Sequence, residues 1–78
     1  MDKKIVEDIK RLAFEVLKND RIINEENFNF NEAENMDSVN RVAVLVAIED
    51  EYDFIFKLKE ISSWSTVMEL AEIIEKKM

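Results

Sequence analysis

Residues 42–48 read VAVLVAI, seven apolar side chains in succession, and what this run becomes decides the fold. As a strand it would be buried on both faces and would need partner strands beside it. As a helix, apolar all round, it would belong to the middle of a helical domain. Local propensity favours the strand, because the run is rich in β-branched residues. Length and flanks favour the helix. Asp37 is a good N-cap, the pattern runs on into Glu49, Asp50 and Glu51, and no second segment of matching strand quality exists. The expectation is a helix over 37–51.

The remaining segments fit helical company for it. Ile5, Ile9, Leu12, Ala13, Val16 and Leu17 recur at helical spacing among Lys, Glu and Arg, which predicts an amphipathic helix over 3–18. From Asn19 to Met36 the periodicity disappears, and the stretch opens on one asparagine and holds five more of the chain's seven. Asparagine tolerates left-handed backbone and makes side-chain turns, so it can replace the glycines this chain lacks. Ile22, Ile23, Phe28 and Phe30 are too apolar for a free linker and are expected to pin a long, ordered loop to the core. Between Tyr52 and Ser65 the chain reads YDFIFKLKEISSWS, an irregular connection with one short helical turn near 59–63. FIF alone has no partner strand. Thr66 followed by Glu69 fits a capping box, and Val67, Leu70, Ala71 and Ile74 form an inward stripe as far as about Lys77. The sum is an all-α small four-helix bundle: three main helices, one short one, and a long ordered loop between the first two.

Composition narrows the chemistry. Seventy-eight residues make one domain, which buries only about 60–65% of its unfolded surface and has no room for a second core. Without cysteine there is no disulfide framework, thiolate nucleophile or sulfur-based zinc site; without histidine there is no imidazole base; without glycine there is no phosphate-binding loop. These absences point away from an enzyme acting by itself. A net charge of −7 opposes nucleic acid and anionic membranes and suits partners with basic patches. The opening MDKKIVEDIKRL is too interrupted by charge for a signal peptide, and nothing is long enough for membrane insertion, so a cytoplasmic monomer is expected. Acids at 49–53 lack the glycine and alternating spacing of a calcium loop, so no metal site is assigned.

Within the apolar helix, Val42, Leu45 and Ile48, with Val44 alongside, are expected to face the bundle. Val39, Ala43 and Val46 then occupy a second face, which either lies under the first loop or forms an exposed contact stripe; such faces are more often covered. Ser38 falls in the first turn, where unpaired N–H groups and the helix dipole would stabilise a phosphate ester. Local physics alone favours the simpler view, in which Asp37 caps and Ser38 is an ordinary first-turn residue.

The whole pattern resembles the acyl carrier proteins. Asp37-Ser38-Val39 opens an apolar helix midway along a short acidic chain, AIEDEYDF at 47–54 looks like the family's ending of that helix, and the spacing onward to Ser65-Thr66-Val67 fits without a gap. The resemblance covers essentially the whole chain. It implies that Ser38 carries a 4′-phosphopantetheine arm, attached by a phosphopantetheinyl transferase, whose thiol holds acyl groups as thioesters. The reactive sulfur would then belong to the cofactor and the catalysis to a loading enzyme and a downstream synthase or transferase. Asp37 matches the family's motif acid, Val39 and Val46 match partner-contact positions, and Ile61 and Trp64 stand where the family lines its acyl pocket; Trp64 fits plain core equally well.

Several positions depart from the family. Asn35-Met36 replaces a usual glycine. Asn40 and Ala43, with Arg41 between them, occupy positions that are acidic in fatty-acid members, and Lys57-Leu58-Lys59 replaces a Pro and several acids. Partner-recruiting acids are thinned near Ser38 and kept at Glu49, Asp50 and Glu51, as in a specialised carrier. A fatty-acid or polyketide carrier, a D-alanyl or peptidyl carrier, and an unmodified helical adaptor in which Ser38 is only part of a cap remain the alternatives.

Overall fold

The apolar run is helical. In the computed structural model, which describes residues 2–78, it lies inside α3 (Ser38–Tyr52), flanked by α1 (Lys3–Leu17), α2 (Arg21–Asn24), α4 (Leu58–Ile61) and α5 (Val67–Lys77). A 3-10 turn at Phe30–Glu32 follows α2. No strand forms among the described residues; an isolated bridge between Asn29 and Thr66 is their only extended pairing. The fold is all-α.

Each long helix starts where a side chain satisfies its first N–H groups. Asp2 accepts from the Lys4 N–H at 2.8 Å, Asp37 from the Asn40 N–H at 2.8 Å, and Thr66 from the Glu69 N–H at 3.2 Å. Glu69 reaches back to the N–H of Thr66 at 3.1 Å, completing the expected capping box. The first and third helices end without glycine. Lys18 and Asp53 take left-handed backbone, with φ of 57° and 60°, and donate their N–H groups to Phe14 and Glu49 carbonyls. Such a conformation costs a non-glycine residue about 1–2 kcal/mol.

Helix α1 is the hub, packing against α2, α3 and α5, while α4 lies on α3. Its buried face is Ile5, Ile9, Leu12, Ala13 and Leu17, as its period predicts, and α5 contributes Val67, Leu70, Ala71 and Ile74. The inward face of α3 differs from expectation. Val44, Leu45 and Ile48 are buried, but Val42 is 44% exposed. With 3.6 residues per turn, the stripe through Val44, Leu45 and Ile48 continues to Arg41 and Tyr52, and Val42 lies about 110° off its centre. Burying side chains of this size contributes about 1.5–3 kcal/mol each.

The first connection is more ordered than a loop. Ile22 on α2, Phe28 and Phe30 are fully buried, whereas Ile23 points to solvent and pins nothing. Phe30 N–H donates to the Ser65 carbonyl at 2.7 Å and Val67 N–H to the Phe28 carbonyl at 3.1 Å, so this segment is stapled to the start of α5. Its rings meet the far connection edge-on: Phe28 to Phe30 at 5.5 Å, Phe30 to Trp64 at 5.1 Å. The short helix α4 begins one residue earlier than the expected 59–63 because Glu60 accepts from the Lys57 N–H at 2.7 Å.

Candidate functional site

Ser38 is the first residue of α3 and is exposed. Asp37 supplies the cap, leaving the Ser38 hydroxyl without a hydrogen bond among the described residues. The backbone N–H groups of Ser38 and Val39 find no acceptor there either, as geometry requires at a helix start. A free hydroxyl beside free N–H donors, at the positive end of a fifteen-residue helix, suits an anionic ester.

Two neighbours of Ser38 turn inward. Asn40 Nδ2 donates to the Asn35 carbonyl at 2.8 Å, and Asn35 Nδ2 donates to the Leu17 carbonyl at 3.1 Å. This relay ties the first turn of α3 to the last turn of α1. Asn35 does not adopt positive φ. Arg41, half-buried, donates from Nε to the Ile61 carbonyl at 2.8 Å and from Nη2 to the Trp64 carbonyl. Its guanidinium carbon lies 4.0 Å from the centre of the Trp64 ring. Burial pushes the Arg41 guanidinium below its ordinary pKa. Asn40 and Arg41 both brace α3 through these bonds.

The second apolar face of α3 is uncovered. Val39 is 74% exposed, Val46 is exposed, and Ala43 between them is half-buried. The first loop, which the commoner arrangement would place over this face, packs on α1 and the start of α5 instead. Toward the other end of the helix, Val46, Ala47, Glu49, Asp50, Asp53, Phe54 and Ile55 line a shallow groove of about 380 Å³. Asp50 is exposed there, while Glu49 is partly engaged, its Oε2 accepting from the Phe56 N–H at 2.7 Å. Ile55 and, at 85%, Leu58 extend the exposed apolar surface beyond the helix. In the sequence FIF reads only as connection and Leu58 stands out only between two lysines, so neither is expected at an exposed apolar surface.

Ile61 is half-buried at the end of α4. Trp64 is 1% exposed, with Phe30 at its edge and Arg41 on its face, and its Nε1–H has no acceptor among the described residues. A larger open cleft of about 550 Å³ lies between the end of α1 and residues 32–35, but Arg21 in its wall is already bound to Glu25 and Glu32. No group of acids that could hold a metal ion occurs among the described residues.

Sequence reasoning missed one buried charge. Asp8, 6% exposed, accepts from Tyr52 Oη at 2.6 Å, Lys4 at 3.2 Å and Arg11 at 3.4 Å, and Arg11 also meets Glu51 at 3.0 Å. Burial opposes ionisation of Asp8, but the bonds from Tyr52, Lys4 and Arg11 outweigh it and hold the carboxyl below its ordinary pKa. Burial and the Asp8 contact push the Tyr52 phenol up. The signal was present, since residue 8 falls on the same stripe as Ile5, Ile9 and Leu12.

Compared with protein-family models, curated proteins and solved structures, the chain matches none. No helix among the described residues is long and apolar enough to cross a membrane.

Proposed function

We propose that the protein is an acyl carrier whose cargo rides on a 4′-phosphopantetheine arm attached to the Ser38 oxygen. The observation that carries this reading is the division of labour at the start of α3: Asp37 caps the helix, and the adjacent serine hydroxyl is left exposed and unengaged. The arm supplies a thiol for thioester formation, which this chain lacks. The chain's own residues hold the attachment point. Asn40 and Arg41 fix the first turn of α3, and the free N–H groups of Ser38 and Val39 receive the phosphodiester. Val39, Ala43 and Val46, with Asp50 at the groove rim, form the contact face for the transferase and the enzymes that load and unload cargo. The accompanying fold reading is a four-helix bundle of α1, α3, α4 and α5, with residues 19–36 as its long connection. The carrier is not itself an enzyme and works as a cytoplasmic monomer.

Intact mass measured after coexpression with a broad-specificity phosphopantetheinyl transferase tests the reading. Wild type should gain one phosphopantetheine and Ser38→Ala none. An unmodified wild type sinks it and leaves the unmodified adaptor; a modified Ser38→Ala sinks Ser38 as the attachment point. An amino-acid cargo is favoured by one observation: no acid stands on the turn after Ser38, while Lys57 and Lys59 are exposed. Loading of the modified protein by an adenylating amino-acid ligase, and never by a malonyl transferase, would identify a D-alanyl or peptidyl carrier.

A further inference from the structure

Among the described residues, the indole of Trp64 is the one place where the core is chemically incomplete. A buried N–H without an acceptor is rare in folded proteins, because the group loses its water and gains nothing in return. Phenylalanine would fill an apolar site without that cost, so the nitrogen itself calls for an explanation. Trp64 Nε1 is such a group, and it is the only buried side-chain nitrogen or oxygen left unpaired among the described residues.

Its position ties it to the serine. Arg41 stands one helical turn after Ser38 and lays its guanidinium on the indole face at 4.0 Å. The indole therefore lies against the same turn of α3 that carries the attachment point. Arg41 bonds the carbonyls of Ile61 and Trp64 and pairs with no carboxylate among the described residues. A long side chain held by two neutral acceptors can swing aside without stranding a buried acid. Ile61, half-buried, is the apolar neighbour on the same segment. Beneath Arg41 the buried indole thus offers a single outstanding donor, with Phe30 5.1 Å from its ring.

We propose that Trp64 Nε1–H donates to an oxygen on the cargo, and that the carrier prefers acyl chains bearing a hydroxyl or carbonyl along the chain over fully saturated ones. This rests on the carrier reading of Ser38. The donor has no use for a hydrocarbon tail, and it selects against a cargo whose only polar group near it is another donor, such as an ammonium. Trp64 is a specificity residue in this account, with Arg41 as the side chain that covers it.

The chain contains one tryptophan, so the indole gives a single N–H resonance. The full-length protein, labelled with ¹⁵N at the indole, should be loaded through the transferase with hexanoyl-, 3-hydroxyhexanoyl- or 3-oxohexanoyl-coenzyme A, and loading confirmed by intact mass. The oxygenated cargoes should move the Nε1–H resonance downfield and slow its exchange with solvent about tenfold relative to hexanoyl, the discrimination a single hydrogen bond to a buried group supplies. Engagement by the donor should also protect the oxygenated cargo from thioester hydrolysis in wild type, and Trp64→Phe should lose that protection while hexanoyl hydrolysis stays unchanged. The same resonance and exchange rate for all three cargoes in wild type overturns the proposal, because the thioester carbonyl common to them would then be the acceptor or none would be. Failure of wild type to take up any arm overturns the carrier reading and this inference together, and the mass alone tells the two failures apart.

Discussion

At its C-terminal end α3 is welded to the rest of the molecule, while at its N-terminal end it is braced and left partly open. Around Tyr52, charged and phenolic groups from α1 and α3 close on buried Asp8, and Glu49 fastens the following segment through Phe56. Around Ser38 the bonds are those of neutral asparagines to carbonyls, a single aspartate cap and Arg41, with the serine outside all of them. Fixing one end by buried electrostatics lets the other present an exposed, unbonded hydroxyl without depending on it for stability. The difference separates what holds the helix from what the helix offers.

That contrast can be broken most forcefully at the welded end. Tyr52→Phe removes the donor to a buried carboxylate and should lower the unfolding free energy by about 1–3 kcal/mol, read from urea denaturation at neutral pH. The same end predicts a pH dependence. Asp8 has a folded pKa below its unfolded value of about 3.9, so its contribution is complete above that value. It is lost as pH falls through the folded pKa. Acid titration by circular dichroism should show wild type losing stability below about pH 4 more steeply than Tyr52→Phe, in which Asp8 titrates closer to its ordinary value. At the open end the effects shrink. Asp37→Ala deletes the cap and should cost about 1 kcal/mol in the same urea experiment. Ser38→Ala should stay within about 0.5 kcal/mol of wild type while losing all capacity for the arm. A larger loss there would mean the hydroxyl is part of the fold after all.

Much of this was legible from residue spacing. The inward stripes of α1 and α5 follow directly from apolar period, and the capping box at Thr66 from two residues three apart. The apolar run of α3 was harder, because seven apolar residues in a row carry little directional information. Its spacing from Leu45 puts Val42 inward, whereas in the structure Arg41 takes that place, its guanidinium satisfied by carbonyls from a segment twenty residues on. No local pattern announces such a bond. Asp8 shows the reverse case: its position on the apolar stripe was visible, but its partner Tyr52 lies forty-four residues away. Helix α2 was missed because four residues are too few to establish a period, and its one buried anchor, Ile22, reads the same in a loop. At the candidate site, the exposure of Ser38 and the cap by Asp37 could be anticipated. The inward turn of Asn40 could not, since it depends on where Asn35 is delivered by the preceding connection.

The left-handed residues that close α1 and α3 also bear on how this protein can change. Lys18 and Asp53 occupy positions that glycine or asparagine would fill with less strain, and both are exposed and outside the core. They amount to an unused reserve. A lineage that accumulates destabilising substitutions along the exposed apolar face of α3 can recover the loss at these two positions without touching the core, the brace on α3 or Ser38.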